Sequence, residues 1–324
     1  MNKTLLLISS LPSDQVFAAE VAKDCGLALQ TVSSPSIGAE MIDRESPALI
    51  FCDISDEQHF AELEREIQEK VGLFSDKVDP NRVHLMSTED IEESSFILES
   101  PLFGNFIIRD IHDPVGAAHS YARIAKGSLQ ERPVGLAQWL RPNAKIQTIQ
   151  LKQSNHKQDA VEAVRNYVLA AQFNQRMASL IANAVDEILM NAIFDAPVDE
   201  LGKQRMSSTP RTAGFALEGQ QTVEIQVGFD GERFGLTAID QFGSVEKSRL
   251  TKHVAKVYRE DEYKVRSTTA GAGIGLSRVF RDGGTFVYVV EQGKRTEATI
   301  LFKRTSSFRE FKEQFRSFSV LFYV

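Results

Sequence analysis

The sequence predicts two domains, a doubly wound α/β domain followed by an α+β sandwich. Over residues 1–127, short apolar runs alternate with helical patterns, which is typical of a sheet covered by helices. From 146 to 304 the helices come first and antiparallel strands follow, a pattern that favours an α+β sandwich. A chain of 324 residues, 42% of them hydrophobic, can form two cores. We expect a linker at 128–145, around Trp139, and an aromatic C-terminal tail at 305–324.

Composition and charge exclude several classes of partner. The net charge of -7 and the absence of a basic block argue against binding to nucleic acid or to an anionic membrane. No apolar stretch approaches the ~20 residues that a membrane span needs. The two cysteines, Cys25 and Cys52, lack metal-ligand spacing and suit a reducing compartment. We therefore expect a soluble cytoplasmic protein that contacts neither nucleic acid nor membrane.

The first domain contains five strand patterns and five helix patterns. The strands are predicted from short apolar runs, and the helices from apolar residues that recur at helical spacing. The predicted strands are 4–10, 27–34, 48–55, 82–88 and 104–110, and the predicted helices are 14–25, 36–45, 56–72, 89–98 and 114–127.

The second domain is predicted to consist of a strand, two helices and two pairs of antiparallel strands. A polar loop rich in Gly, Ser, Pro and Thr separates the helices from the sheet, and a charged helical segment precedes a glycine loop and a short helix. The predicted elements are the strand 145–153, the helices 157–173 and 174–194, the loop 198–220, the strands 222–230 and 233–240, the helical segment 244–266, and the strands 285–292 and 297–304.

The stretch "AGAGIG" places Gly271, Gly273 and Gly275 just before a helical pattern. It lacks the Lys-Ser or Lys-Thr of a P-loop, and the spacing of its glycines is not that of a dinucleotide-binding loop. Backbone N–H groups freed by glycine at a helix N-terminus can bind an anion. A flexible hinge explains the same glycines, so the loop alone leaves both interpretations open.

The helix pattern "ANAVDEILMNAIFDA" places Glu187 and Asn191 four residues apart, on one helix face, with Asp195 one turn further on. A carboxylate beside a carboxamide suits a base that activates a hydroxyl or water next to a Mg²⁺ ligand, because Mg²⁺ prefers oxygen ligands. The alternative is an ordinary amphipathic helix with a polar outer face.

The stretch "AIDQFGSV" ends a predicted strand at Asp240, and Gly243 permits a tight turn directly after it. A carboxylate held at a strand end can accept a hydrogen bond from an exocyclic amine such as that of adenine. The alternative is a common Asp-to-Gly loop without a ligand.

In this order, the three stretches resemble the GHKL superfamily of ATP-binding proteins over residues 146–304. The resemblance implies a Bergerat-type sandwich that binds ATP and Mg²⁺, with a mobile lid at 244–270. It implies that Glu187 is the catalytic base or water-orienting residue and that Asn191 is the Mg²⁺ ligand. The resemblance further implies that Asn191, Asp195, Asp240 and Gly243 bind ATP. It implies that Gly271, Gly273 and Gly275 line the triphosphate and that Thr299 supports the adenine site.

The layout of a strand, a helix and a second helix that carries Glu187 and Asn191 is most similar to that of the anti-sigma-factor serine kinases within that superfamily. This branch implies phosphorylation of Ser or Thr on a partner protein. His156 lacks an adjacent acidic residue and a preceding helical hairpin, so autophosphorylation on histidine is disfavoured. Two alternatives stay open, a non-catalytic nucleotide-dependent switch and an atypical histidine kinase. The tail either packs onto the protein or forms a docking or dimerisation segment, so a homodimer is possible.

The first domain resembles a response-regulator receiver, which implies a flavodoxin-like fold. Asp53 stands at the end of the third strand as the candidate phosphoacceptor, Ser87 follows the fourth, and Arg109 replaces the usual Lys after the fifth. Ser9 and Ser10 replace the acidic pair that holds Mg²⁺, and Asp14 is expected to face away from the site. We therefore expect a degenerate receiver used for protein contact, with an unrelated flavodoxin-like domain as the alternative.

Overall fold

The computed structural model describes residues 3–73, 75–91, 93–206, 208–247 and 283–324. The chain is an α/β protein that divides into two compact units. Unit 1 consists of Met1–Pro133 and Phe315–Leu321, and unit 2 consists of Val134–Gln314 and Phe322–Val324. The segment expected as a linker is thus shared between the two units, and part of the C-terminal tail belongs to unit 1.

Unit 1 is built on a mixed sheet in the order β2-β1-β3-β4-β5-β11. The first five strands are parallel, and the tail strand β11 runs antiparallel to β5. The elements are β1 (Thr4–Ile8), α1 (Pro12–Cys25), β2 (Ala28–Val32), α2 (Pro35–Glu45), β3 (Leu49–Asp53), α3 (Glu57–Lys70), β4 (Val83–Ser87), β5 (Asn105–Ile108), α4 (Pro114–Ser128) and β11 (Ser317–Tyr323).

Helices cover both faces of this sheet. Phe17 of α1 and Tyr121 of α4 pack on Phe51, while α2 approaches so closely that a Cβ on Gly38 would lie 2.4 Å from Ile8 Cδ1. β1, β3 and β4 are completely buried, which explains why their sequences read as continuous apolar runs. The five strands predicted for residues 1–127 are present, as are four of the five helices.

The helix predicted over 89–98 is wrong, because the described residues of this segment form turns and a 3-10 turn at Ser95–Glu99 in place of an α-helix. Short polar side chains bind the local backbone in this region. Ser87 Oγ accepts from Glu89 N at 3.0 Å, and Asp90 Oδ1 accepts from Ile91 N at 2.7 Å. Such bonds compete with helical hydrogen bonding, and they outweigh a weak apolar pattern.

The tail packs onto unit 1 as a strand, β11, that pairs antiparallel with β5. Ser317, Phe318 and Ser319 stand opposite Ile107, Phe106 and Asn105 of β5, and Val320 N donates to Gly104 O at 2.8 Å. The ring of Phe318 is buried and stacks on Phe103 with centroids 6.1 Å apart. Of the two expectations for the tail, the structure thus shows packing onto the chain itself.

Unit 2 contains an antiparallel sheet in the order β9-β10-β8-β7-β6. Two helices precede most of its strands, as predicted, and a short helix follows the sheet. The elements are β6 (Lys145–Leu151), α5 (Lys157–Ala170), α6 (Gln175–Met190), β7 (Val223–Phe229), β8 (Arg233–Asp240), β9 (Thr285–Glu291), β10 (Arg295–Lys303) and α7 (Phe308–Lys312).

The two faces of this sheet have different coverings. On one face Phe234 contacts Tyr167 of α5 and Phe173, which follows α5. We call this the helix face. On the other face a Cβ on Gly235 would lie 2.7 Å from Leu136 Cδ1, so glycine allows the segment 134–140 to pack directly on β8. Asp240 shares the helix face with Phe234, because residues two apart along a strand point the same way.

One helix among the described residues, Gln175–Asp195, is long and apolar enough to cross a membrane by length and composition. It comprises α6 and the turn that follows it, and most of it is buried inside the protein. Such burial is that of a core helix in a soluble protein.

Replacing Phe318 with Ala should destabilise unit 1 by about 3–5 kcal/mol, because it removes a buried ring from the β5–β11 interface. Hydrogen-exchange mass spectrometry should show faster exchange in β5 and β11. The matched control is Val324→Ala, which truncates a fully exposed side chain at the end of the same tail. Unchanged exchange in the Phe318→Ala variant would contradict the role given to β11.

Candidate functional sites

The end of α6 and the turn that follows it carry two of the predicted site residues, Glu187 and Asn191. Asn174 caps the helix by accepting a hydrogen bond from Met177 N at 3.0 Å, and the apolar face of the helix is buried. Glu187 and Asn191 therefore emerge together at its C-terminal end. The chain continues as a single π-helical turn at Asn191–Asp195, closed by Ala196 N donating to Asn191 O at 2.8 Å. Such turns occur frequently at functional sites.

Two side-chain oxygens of this π turn are buried and lack a hydrogen-bond partner within the described part of the chain. They are Asn191 Oδ1 and Asp195 Oδ2. The other Asp195 oxygen accepts from Arg211 Nη2 at 2.6 Å. A buried acceptor left unsatisfied costs about 1–3 kcal/mol, so this arrangement is expected only where a ligand or water completes it.

Asp240 is held almost completely out of water at the end of β8. The residue is 5% exposed, and its carboxyl accepts hydrogen bonds from Phe242 N at 2.9 Å and Gly243 N at 3.4 Å. Burial raises the pKa of Asp240 to about 6, against the opposing effect of these bonds and of Thr296. The carboxyl therefore gains or loses its proton not far below neutral pH.

Gly243 is required by its surroundings. Its φ of 56° lies in the left-handed region, and a Cβ at this position would lie 2.0 Å from Glu291 O. The turn after Asp240 is thereby held against the β9–β10 turn, where Gly293 N donates to Gly243 O at 3.1 Å. The tight turn predicted at Gly243 is therefore present, and it leaves no room for a side chain at this position.

Strand register separates two threonines of β10. Thr296 stands directly opposite Asp240 and shares the helix face, whereas Thr299 stands opposite Thr237 on the other face. The hydroxyls of Thr299 and Thr237 are 2.8 Å apart and both residues are buried. The structure thus places Thr296 beside the candidate adenine site and does not place Thr299 there. Sequence reasoning missed Thr296, since only the register of β10 identifies it.

Glu187 lies near the same face of the sheet. Tyr288 of β9 stands opposite Ala298 and points to the helix face, and burial together with the negative charge of Glu187 raises its pKa. The turn after Asp240 also reaches the end of the π turn, where Ser244 Oγ donates to Ala196 O at 2.7 Å. α6 and the π turn at Asn191–Asp195 both contact β8, the strand that ends at Asp240, and Glu187 lies close enough to Tyr288 for its charge to act on that side chain.

Part of the predicted site lies outside the described residues. This applies to Gly271, Gly273 and Gly275, and to the lid from residue 248 onward. Within the described ranges, no group of three or more His, Cys, Asp or Glu side chains could hold a metal by itself. Mg²⁺ needs only one or two protein oxygens when phosphates and waters supply the others, so the buried Asn191 Oδ1 fits such a ligand.

A second cluster of charges lies at the carboxyl ends of the strands in unit 1. Arg109 is 3% exposed and forms a two-pronged ion pair with Asp14, with Nε to Oδ1 at 2.7 Å and Nη2 to Oδ2 at 2.9 Å. Its Nη2 also donates to Asp53 Oδ1. Burial opposes the charged form of Arg109, but the two carboxylates outweigh burial and raise its pKa.

Our expectation that Asp14 faces away from this site is wrong. Asp14 does lie in the first turn of α1, as expected, but α1 starts at Pro12, two residues earlier than predicted, so Asp14 is its third residue and is buried. Ser9 Oγ donates to Asp14 Oδ2 at 2.7 Å. Asp14 thus supplies the carboxylate that Ser9 and Ser10 lack.

Asp53 and Ser87 occupy the ends of their strands, as the sequence suggested. Asp53 Oδ1 accepts from Ser55 Oγ at 2.6 Å as well as from Arg109, and Ser87 is buried with its hydroxyl 3.2 Å from Ser94 Oγ. The charge beside Asp53 is therefore a guanidinium that belongs to the chain itself.

Comparisons with protein-family models and with curated proteins found no match to this chain.

Replacing Asp240 with Asn should change how the stability of unit 2 depends on pH. The folded-state pKa of Asp240 is about 6, above the ordinary value of 3.8, so between pH 3.8 and 6 the folded protein holds a proton on Asp240 that the unfolded chain has lost. The stability of unit 2 therefore falls as the pH rises from 3.8 to 6. Asp240→Asn should remove this fall and stabilise unit 2 at pH 7 by on the order of 2 kcal/mol.

Urea unfolding between pH 4 and pH 7 measures this effect through the fluorescence of Trp139, which is the only tryptophan and lies in unit 2. The exposed carboxyl of Glu200 offers the control Glu200→Gln, which should preserve the pH dependence. An Asp240→Asn variant with the wild-type pH profile would contradict the raised pKa.

Replacing Arg109 with Met should destabilise unit 1 by about 3–5 kcal/mol, because two neighbouring buried carboxylates lose their counter-charge. Circular dichroism during urea unfolding, with EDTA present, measures the loss. Arg44→Met is the control, since Arg44 pairs with Glu45 on the surface and should contribute at most about 1 kcal/mol. Equal stabilities of the two variants would refute the proposed importance of the Arg109 bridge.

Proposed function

We propose that unit 2 binds Mg-ATP in the manner of the GHKL superfamily and that the protein is a cytoplasmic signalling protein. The observation that carries the proposal is the contact of α6 and the π turn, which carry Glu187 and Asn191, with β8, which ends at Asp240 on the helix face. The order of two helices and an antiparallel sheet also agrees with a Bergerat-type sandwich.

Each residue has a role that its environment supports. Asp240, when ionised, accepts a hydrogen bond from the adenine amino group, with Thr296 beside it and Gly243 holding the turn. Asn191 provides its unpartnered Oδ1 to Mg²⁺. We keep Gly271, Gly273 and Gly275 as proposed triphosphate contacts, although they lie outside the described residues. Asp195, which Arg211 orients, borders the same end of α6.

The proposed reaction is phosphorylation of Ser or Thr on a partner protein. ATP with Mg²⁺ supplies the phosphoryl group, whose bond to ADP breaks as a bond to the partner hydroxyl oxygen forms. Glu187 accepts the proton that this hydroxyl loses, since a carboxylate near the reacting group can act as a general base. The protein would then bind its substrate through unit 2 and respond to signals through unit 1.

We propose that unit 1 is a degenerate receiver that acts by protein contact. The parallel order β2-β1-β3-β4-β5 agrees with a flavodoxin-like fold. Arg109 supplies the positive charge that a receiver obtains from Mg²⁺, and it pairs with Asp53 directly. Phosphorylation of Asp53 is therefore disfavoured, because an incoming phosphoryl group would have to displace this bond.

Isothermal titration calorimetry with Mg-ATP tests the location of the nucleotide site by comparing the ATP affinities of variants at two threonines of β10. Thr296→Val should weaken ATP binding about tenfold, because it removes a hydroxyl beside Asp240. Thr299→Val should leave affinity unchanged, because Thr299 points to the opposite face. No ATP binding by the wild type would overturn the proposed function. Equal effects of the two substitutions would contradict the proposed location of adenine.

Glu187→Gln separates a kinase from a non-catalytic switch. The variant should bind ATP as the wild type does and should transfer no phosphate to a partner that is captured in the presence of ATP. Transfer at the wild-type rate would show that Glu187 is not the base.

A further inference from the structure

The central residues of an exposed edge strand in unit 2, Ile146 to Gln150, have none of the features that normally protect such edges. β6 (Lys145–Leu151) ends the strand order of this unit, and β7 is the one strand it pairs with among the described residues. Five of its seven residues are exposed. Natural edge strands are protected by charges, Pro or bulges against pairing with another chain. From Ile146 to Gln150 the strand has no charge and no Pro, and its register with β7 is unbroken.

We propose that β6 is a dimerisation strand, which pairs antiparallel with β6 of a second copy of this chain. The sequence KIQTIQL is compatible with itself in this arrangement. With the two-fold axis at Thr148, Lys145 stands opposite Leu151 of the second copy, and Ile146 stands opposite Gln150. No like charges oppose each other, and all seven residues of the strand are paired.

The exposed apolar side chain of the strand is also covered by this pairing. Ile149 is 40% exposed and stands opposite Ile225, on the same sheet face as Ala238. In the self-paired register it lies beside Gln147 of the second copy and diagonal to the other Ile149, within reach of a cross-strand contact. A second copy therefore satisfies the free backbone groups of the edge and buries Ile149 at once.

The edge strand of unit 1 is a weaker candidate. β2 (Ala28–Val32) has five residues, and Ser33, Ser34 and Pro35 follow it directly. Self-pairing of β2 would form fewer hydrogen bonds than self-pairing of β6.

Disulfide capture tests the register. In a Cys25→Ser background, Thr148→Cys should form a covalent dimer under mild oxidation, because residue 148 faces itself across the two-fold axis. Gln150→Cys is equally exposed but faces Ile146 of the second copy, so it should stay monomeric on a non-reducing gel. Equal crosslinking of both variants, or none of Thr148→Cys, would overturn the proposal. The remaining cysteine, Cys52, is buried.

Light scattering on the intact wild-type chain supplies an independent readout. The wild type should be a dimer, and Ile149→Lys should weaken the dimer by on the order of tenfold or more, since it places two charges at the paired edge. Leu201→Lys is the matched control, because Leu201 is 93% exposed in a loop and should leave the dimer intact. A monomeric wild type, or a dimer that Ile149→Lys does not weaken, would refute the assignment of β6.

Discussion

The proposed function of unit 2 depends on one constraint, the burial of the Asp240 carboxyl at the end of β8. Excluding a carboxylate from water is costly, and hydrogen bonds from Phe242 and Gly243 offset only part of this cost. The turn that supplies these bonds exists because Gly243 has no Cβ to collide with Glu291. A buried carboxyl whose neighbours leave it poorly stabilised is typical of a residue that is kept for a ligand.

Unit 1 also buries carboxylates, but it offsets the cost with a positive charge. There the two buried carboxylates, Asp14 and Asp53, share a guanidinium from the chain itself. Arg109 is therefore an internal counter-ion for both carboxylates, while its Nη1 is buried without a hydrogen-bond partner in the described part of the chain. In unit 2 the buried acceptor Asn191 Oδ1 has no partner among the described residues, and we propose a cation for it, whereas Arg109 already supplies the positive charge beside Asp53 in unit 1.

Local sequence patterns predicted most of the elements, because apolar runs and helical spacing are local properties. The errors concern phase and register. Asp14 was misplaced because Pro12 begins α1 earlier than the apolar pattern suggests, and Thr296 was missed because its position beside Asp240 depends on how β10 pairs with β8. The pairing of the tail with β5 joins residues about 200 positions apart, and no local pattern encodes it.

The most direct test of the central claim compares ATP with ITP, which lacks the adenine amino group, in calorimetric titrations of the wild-type protein with Mg²⁺. If the Asp240 carboxylate accepts a hydrogen bond from that amino group, ATP should bind about 10- to 100-fold more tightly at pH 7.5, as expected for a hydrogen bond to a charged group. Equal affinities for ATP and ITP would contradict the role that we assign to Asp240.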